Sequence, residues 1–119
     1  MKSNEREIRL YYDPESNSGR MTLAYAKSLS VHVSTYAFDK APSTSTEWKE
    51  ILNGLGVSPK DILNKAHPDY QNNIKGKEYD DEGWINIILH NKHLIKAPIA
   101  IKGKRAILCQ TPTDVYKLV

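Results

Sequence analysis

Tyr11-Tyr12-Asp13-Pro14-Glu15-Ser16-Asn17-Ser18-Gly19-Arg20-Met21-Thr22-Leu23-Ala24-Tyr25-Ala26 passes from an apolar strand through a polar turn into a helix. Pro14 removes a backbone donor and biases Asp13 toward extended geometry, so the strand ends there. Ser16, Asn17 and Ser18 are residue types that cap helix N-termini, and Gly19 allows a close backbone approach. The first N–H groups of a helix lack intrahelical partners and can point at an anion, a thiolate or a carbonyl. The turn therefore reads either as a plain cap or as a binding site built from Ser16, Asn17, Ser18, Gly19 and Arg20.

Upstream, Met1 to Arg6 is polar and expected to fray. Ile8, Leu10 and Tyr12 alternate with Arg9 and Tyr11, the period of a half-buried strand. Downstream, the helix is expected to end around Ser28 to Ser30, and Val31, Val33 and Tyr36 mark a second strand. A helix joining two strands makes a right-handed βαβ unit, so the pair should be parallel. Ala41 to Thr46 is the clearest linker, and Thr46 is read as the cap of a helix presenting Trp48, Ile51, Leu52 and Leu55 on one stripe.

Gly54 and Gly56 stop that helix, and Ser58-Pro59-Lys60-Asp61 opens a short one through Ile62 and Leu63. Ala66 to Lys77 reads as a loop with room for one turn of helix. A helix starting at Tyr79 or Asp80 is expected to bury Trp84, Ile87 and Ile88, with Ile85 and Leu89 widening the face. Pro98 to Ile101 and Ala106 to Cys109 flank the basic turn Lys102-Gly103-Lys104-Arg105 as a hairpin. Thr111-Pro112-Thr113-Asp114 then starts a last helix to Val119 that turns Val115 and Leu118 to the sheet. In order, the elements are β-α-β, a helical insertion, then β-β-α: an α/β protein with a four-stranded mixed sheet.

A length of 119 residues is one domain, 1–119, large enough for an ordinary core. With 39% hydrophobic and 26% charged residues the chain is globular rather than disordered. A formal charge of +3 favours anionic ligands without marking a nucleic-acid binder, so nucleic acid is not an expected partner. The single cysteine excludes an internal disulfide, the N-terminus has no secretory pattern, and no apolar run approaches the roughly 20 residues of a membrane span. A cytoplasmic protein without membrane contact is the expectation.

The strand, Asp-Pro loop and helix around Tyr11 to Ala26 are followed by Trp48 to Leu55 and by Val57-Ser58-Pro59-Lys60-Asp61-Ile62-Leu63-Asn64. The Leu94 to Ile101 run and the basic turn before Leu108-Cys109 complete a pattern that resembles the arsenate reductase (ArsC) family, which includes Spx-type regulators. The resemblance covers nearly the whole chain and implies a thioredoxin-like fold. It places the family's nucleophilic cysteine on Ser16 and its second cysteine on Gly19. Three oxyanion-holding arginines would fall near Asn64, at Ala97 and near Gln110, and none is an arginine here. It also implies a cis Ala97–Pro98 bond facing the first helix, so that Ser16 to Arg20 and Pro98 form two walls of one pocket. The residues alone allow Pro98 simply to start a strand.

A serine cannot form a nucleophile by a lowered pKa as a thiol does; it needs an adjacent base, and no histidine is near Ser16 in sequence or expected in the pocket wall. No catalytic residue and no metal site is therefore expected, Ser16 being a degenerate nucleophile position. The expected partners are a small anion, a thiol such as glutathione, or a peptide or protein. The alternatives are a glutathione-dependent reductase using Cys109, a transferase using Ser16, and a Spx-like regulator acting by protein contact. Cys109 reads as a buried small hydrophobe or a reactive thiol. His90 and His93 read as helix C-terminal charges, with metal ligation lacking further ligands. The basic turn reads as a solvated hairpin end or, less simply, as a phosphate contact.

Overall fold

The computed structural model describes residues 7–29, 32–37, 44–96 and 98–118. Four strands, β1 (Ile8–Tyr12), β2 (Val33–Ala37), β3 (Ile99–Lys102) and β4 (Arg105–Leu108), form one sheet in the order β2-β1-β3-β4. β1 pairs in parallel with β2, with Ile8 opposite Val33, and antiparallel with β3, with Leu10 opposite Ala100; β3 and β4 form the expected hairpin. The parallel pair is joined by α1 (Asn17–Leu29). The architecture is thus a mixed α/β sheet flanked by helices, with α2 (Ser45–Leu55), α3 (Pro68–Asn73) and α4 (Asp81–His90) inserted between its halves. Among the described residues no helix is long and apolar enough to cross a membrane.

Two apolar clusters cover the two faces of the sheet. Ile8, Leu10 and Ala100 pack with Ala26 of α1 and with Val115 and Leu118. Tyr11, Ile99 and Ile101 face the larger cluster, where Trp48, Leu52, Trp84 and Ile88 fill the space under α2 and α4. β1 is therefore buried on both faces rather than half-buried, because a central strand between two helical layers has no solvent side.

Several local expectations are corrected. Thr44, not Thr46, caps α2: its hydroxyl accepts from the Glu47 N–H at 3.3 Å and donates to the Glu47 carboxylate at 3.1 Å. Both threonines are cap-type residues, and the one with the acid three positions on gains a second contact to that acid through its hydroxyl. In α4, Ile85 rather than Ile87 is buried with Trp84 and Ile88. The 66–77 stretch contains α3, whose Tyr70, with the following Ile74, reaches the larger core cluster. The last helix is a 3₁₀ segment over Pro112–Leu118, and Val115 and Leu118 stack three residues apart as that geometry requires. The expectations for Met1 to Arg6, Val31, residues 41–43 and the Ala97–Pro98 bond lie outside the described residues.

α2 packs tightly on the hairpin. A Cβ at Gly54 would meet the Lys104 carbonyl oxygen at 2.7 Å and the Ala106 Cβ at 3.2 Å, while Gly56 ends the helix in the left-handed region at φ 71°. Gly54→Ala should therefore destabilise the fold by about 1–3 kcal/mol despite alanine's better helix propensity. The exposed neighbour substitution Asn53→Ala should stay within about 0.5 kcal/mol. Urea unfolding midpoints of the two variants check this.

Candidate functional site

At the end of β1 the chain folds back on itself before α1 begins. The Asp13 carbonyl accepts the Ser16 N–H at 3.0 Å, and the Asp13 carboxylate accepts the Glu15 N–H at 3.0 Å. Ser16 is the cap: its Oγ accepts the Gly19 N–H at 3.2 Å and its carbonyl accepts the Arg20 N–H at 3.0 Å. This leaves the Asn17 and Ser18 N–H groups as the orphan donors of the helix end. Gly19 is held against the strand end, where a Cβ would lie 2.6 Å from the Asp13 carbonyl oxygen. The close approach that its residue type suggested is to the chain itself.

This helix end borders a cleft of about 800 Å³ whose lining includes Asp13, Ser16, Ser18, Gly19 and Pro98. Asn17 and Arg20 do not line it. Their side chains bond each other at 2.5 Å on the exposed face of α1. Of the six residues singled out from the sequence, four share the cleft and two pair outside it.

Cys109 closes the floor, its N–H donating to the Pro98 carbonyl at 2.8 Å. The residue is 1% exposed and belongs to the core cluster beneath α1. Burial, reinforced by the nearby Asp114 carboxylate and only partly offset by Lys117, pushes its thiol up to about 12. At neutral pH it is a neutral S–H.

The opposite wall comes from two distant segments joined by a single antiparallel bridge, Leu63 to Ile95. The Asn64 N–H donates to the Leu94 carbonyl and the Lys96 N–H to the Ile62 carbonyl, both at 2.7 Å. The Asn64 side chain turns back to accept the Ala66 N–H at 3.2 Å. This local turn delivers His67 to the start of α3, where its Nδ1 accepts the Asp69 N–H at 3.0 Å as the helix cap. The other end of the bridge delivers His93, whose Nε2 lies 2.8 Å from the Asp69 carboxylate. The two imidazoles meet edge to face, centroids 5.4 Å apart.

His67, His93 and Lys96 all line the cleft that Ser16 borders. The expectation that no histidine stands in the pocket wall is thus overturned; His93 lies beyond α4, in the 3₁₀ turn Lys92–Leu94. Only His90 sits in the last turn of α4, beside the Asn86 carbonyl at 2.9 Å. The reason is tertiary: the Leu63–Ile95 bridge brings both rings to the helix end from far along the chain. The signal that could have found them was the His67-Pro68 pair, a cap followed by a first-position proline. Among the described residues no group of three or more His, Cys, Asp or Glu side chains could hold a metal ion.

No curated protein sequence matches the chain. Solved structures do. An arsenate reductase from Vibrio cholerae superposes with a TM-score of 0.86 at 19% identity, covering 98% of this chain and 100% of that one. A Yersinia pestis protein gives 0.83 at 20% identity over 92% of this chain and 98% of its own. An arsenate reductase (ArsC) related protein from Brucella melitensis gives 0.68 at 10% identity over 98% and 97%. These likenesses establish the thioredoxin-like fold of the ArsC proteins. The model of the ArsC family matches residues 11–118, from the end of β1 to the last helix. With that match spanning almost the entire chain, the protein belongs to the ArsC family.

Proposed function

We propose that this chain is a non-reducing member of the ArsC family, whose cleft binds a small anion, free or carried on a thiol such as glutathione. The observation that carries this reading is the chemistry at the α1 cap. An oxygen, Ser16 Oγ, stands where the resemblance puts the nucleophilic sulfur, and it serves as an acceptor for the Gly19 N–H. An alcohol there cannot be ionised by a helix end as a thiol can. The orphan N–H groups of Asn17 and Ser18 remain as donors suited to an anion.

Cys109 also borders the cleft, which makes a reductase working through that thiol the one competing reading. Its burial and protonated state weigh against it, since the thiolate is the attacking species. A redox cycle would also need an external thiol to resolve the intermediate.

Titration with sulfate, phosphate, arsenate and glutathione should shift the backbone amide resonances of Asn17 to Gly19 at millimolar ligand. Arsenate should not be reduced with glutathione as donor. Turnover that disappears in Cys109→Ala would contradict the proposal, and unmoved amides with all four ligands would remove its binding half.

The native thiol should react with an aromatic disulfide reagent at least about 100-fold more slowly than in urea, because reaction requires opening of the core. Alkaline stability checks the same point. The folded thiol titrates near 12 and the unfolded one near 9.0, so the unfolded state releases its proton first. The contribution is constant below pH 9 and is lost as pH rises from 9 toward 12. Cys109→Ala should flatten the loss of stability between pH 8 and 11. Tyr11, also raised by burial, should leave a residual slope.

A further inference from the structure

The cleft has lost the always-charged guanidinium groups that the resemblance would place near Asn64, at Ala97 and near Gln110, yet it is not without cations. We propose that His67, His93 and Lys96 are the anion-receiving wall of this cleft, making oxyanion binding dependent on imidazole protonation. This rests on the anion-binding reading above and adds the residues and the regulation.

The three side chains enter the wall from the two bridged segments. The Lys96 backbone is anchored by its N–H bond to the Ile62 carbonyl, and its side chain is exposed. His67 has its Nδ1 occupied by the Asp69 N–H, so in the neutral ring the proton sits on Nε2, a donor. His93 has Nε2 on the Asp69 carboxylate, so a second proton would go to Nδ1. Protonation there also pairs the imidazolium with a carboxylate, about half of whose surface is exposed.

The charges facing one another from the surrounding elements are few. Asp13 comes from the β1–α1 turn, Asp69 from the start of α3, and His67, His93 and Lys96 from the bridged wall. Under the floor, Asp114 and Lys117 pair with each other at 3.2 Å, and Cys109 is neutral. With both rings neutral, two carboxylates outnumber one ammonium, and an anion meets net negative charge. His67 keeps its Nδ1 as the acceptor of the Asp69 N–H and stays neutral, so protonation of His93 at Nδ1 brings two cations level with the two carboxylates and removes the net negative charge. Imidazole makes that change between about pH 5 and 8, whereas a guanidinium would not. A site walled by arginines binds oxyanions at any physiological pH; this one takes them up as the pH falls.

Sulfate is the probe, because it stays a dianion across that range and any pH dependence belongs to the protein. Its affinity should be read from the Asn17 to Gly19 amide shifts at pH 5.5, 6.5 and 8. The wild-type protein should bind sulfate about tenfold more tightly at pH 5.5 than at pH 8. His93→Gln should remove most of that difference. His67→Asn, which keeps a cap-competent side chain at the start of α3 but loses the neutral Nε2–H donor, should weaken binding at all three pH values. Lys96→Gln should weaken binding equally at all three pH values. Amide spectra of the variants without sulfate establish that each remains folded. Wild-type binding that is flat with pH, or as pH-dependent in the folded His93→Gln protein, would overturn the wall while leaving the anion-site reading intact. Wild-type amides unmoved by sulfate at every pH would overturn both.

Discussion

Gly19 carries no Cβ, and one built there would lie 2.6 Å from the Asp13 carbonyl oxygen and 3.2 Å from the Tyr12 ring. That contact sets how closely α1 approaches the end of β1, and the rest of the cleft follows from it. Because the helix starts against the strand, Ser16 is drawn into the cap, where its Oγ accepts the Gly19 N–H. A second cysteine at position 19 could not be accommodated without moving the Tyr12–Asp13 segment. Glycine here is thus a packing requirement of the observed turn, whatever binds above it.

The second dependency is long-range. Leu63 and Ile95 are both buried, and the bridge between them anchors two otherwise irregular segments to the core. Its polar flanks, Asn64, His67, His93 and Lys96, consequently project around one opening. The apolar pair supplies the position and the polar neighbours supply the chemistry, so the wall is held by burial rather than by its own hydrogen bonds. The same economy operates at Cys109, where a core position under Pro98 keeps the one thiol neutral and covered.

Much of this was legible from residue types. The strand periods, the Trp48 stripe, the basic hairpin turn and the Asp-Pro break before α1 each carry a local physical signal, and together they give the element order and the parallel first pair. Ser16, Ser18 and Gly19 could be placed at the α1 start because turn chemistry is local, and Pro98 could be set opposite them only through the family resemblance. What failed depended on partners distant in sequence. Tyr11 is as consistent with a solvent face as with a second core, and only the covering helices decide. α3 has too few residues for periodicity to register, so His67 read as loop. His93 stands three residues from His90, and sequence proximity suggested a shared helix end, whereas the chain leaves α4 between them and carries His93 to Asp69.

The ArsC fold thus frames a cleft with a serine hydroxyl at the α1 cap and two imidazoles in its wall. The central claim is that the α1 end offers the field that activates a thiol, with a serine hydroxyl standing in that field. The most direct test is the thiol pKa of Ser16→Cys, from the pH dependence of its alkylation rate, with buried Cys109 contributing no fast phase. A value of about 7 or below, well under the ordinary 8.5 of a free cysteine, is the predicted result. A value at or above 8.5 would show that the helix end offers no such field and would contradict the account.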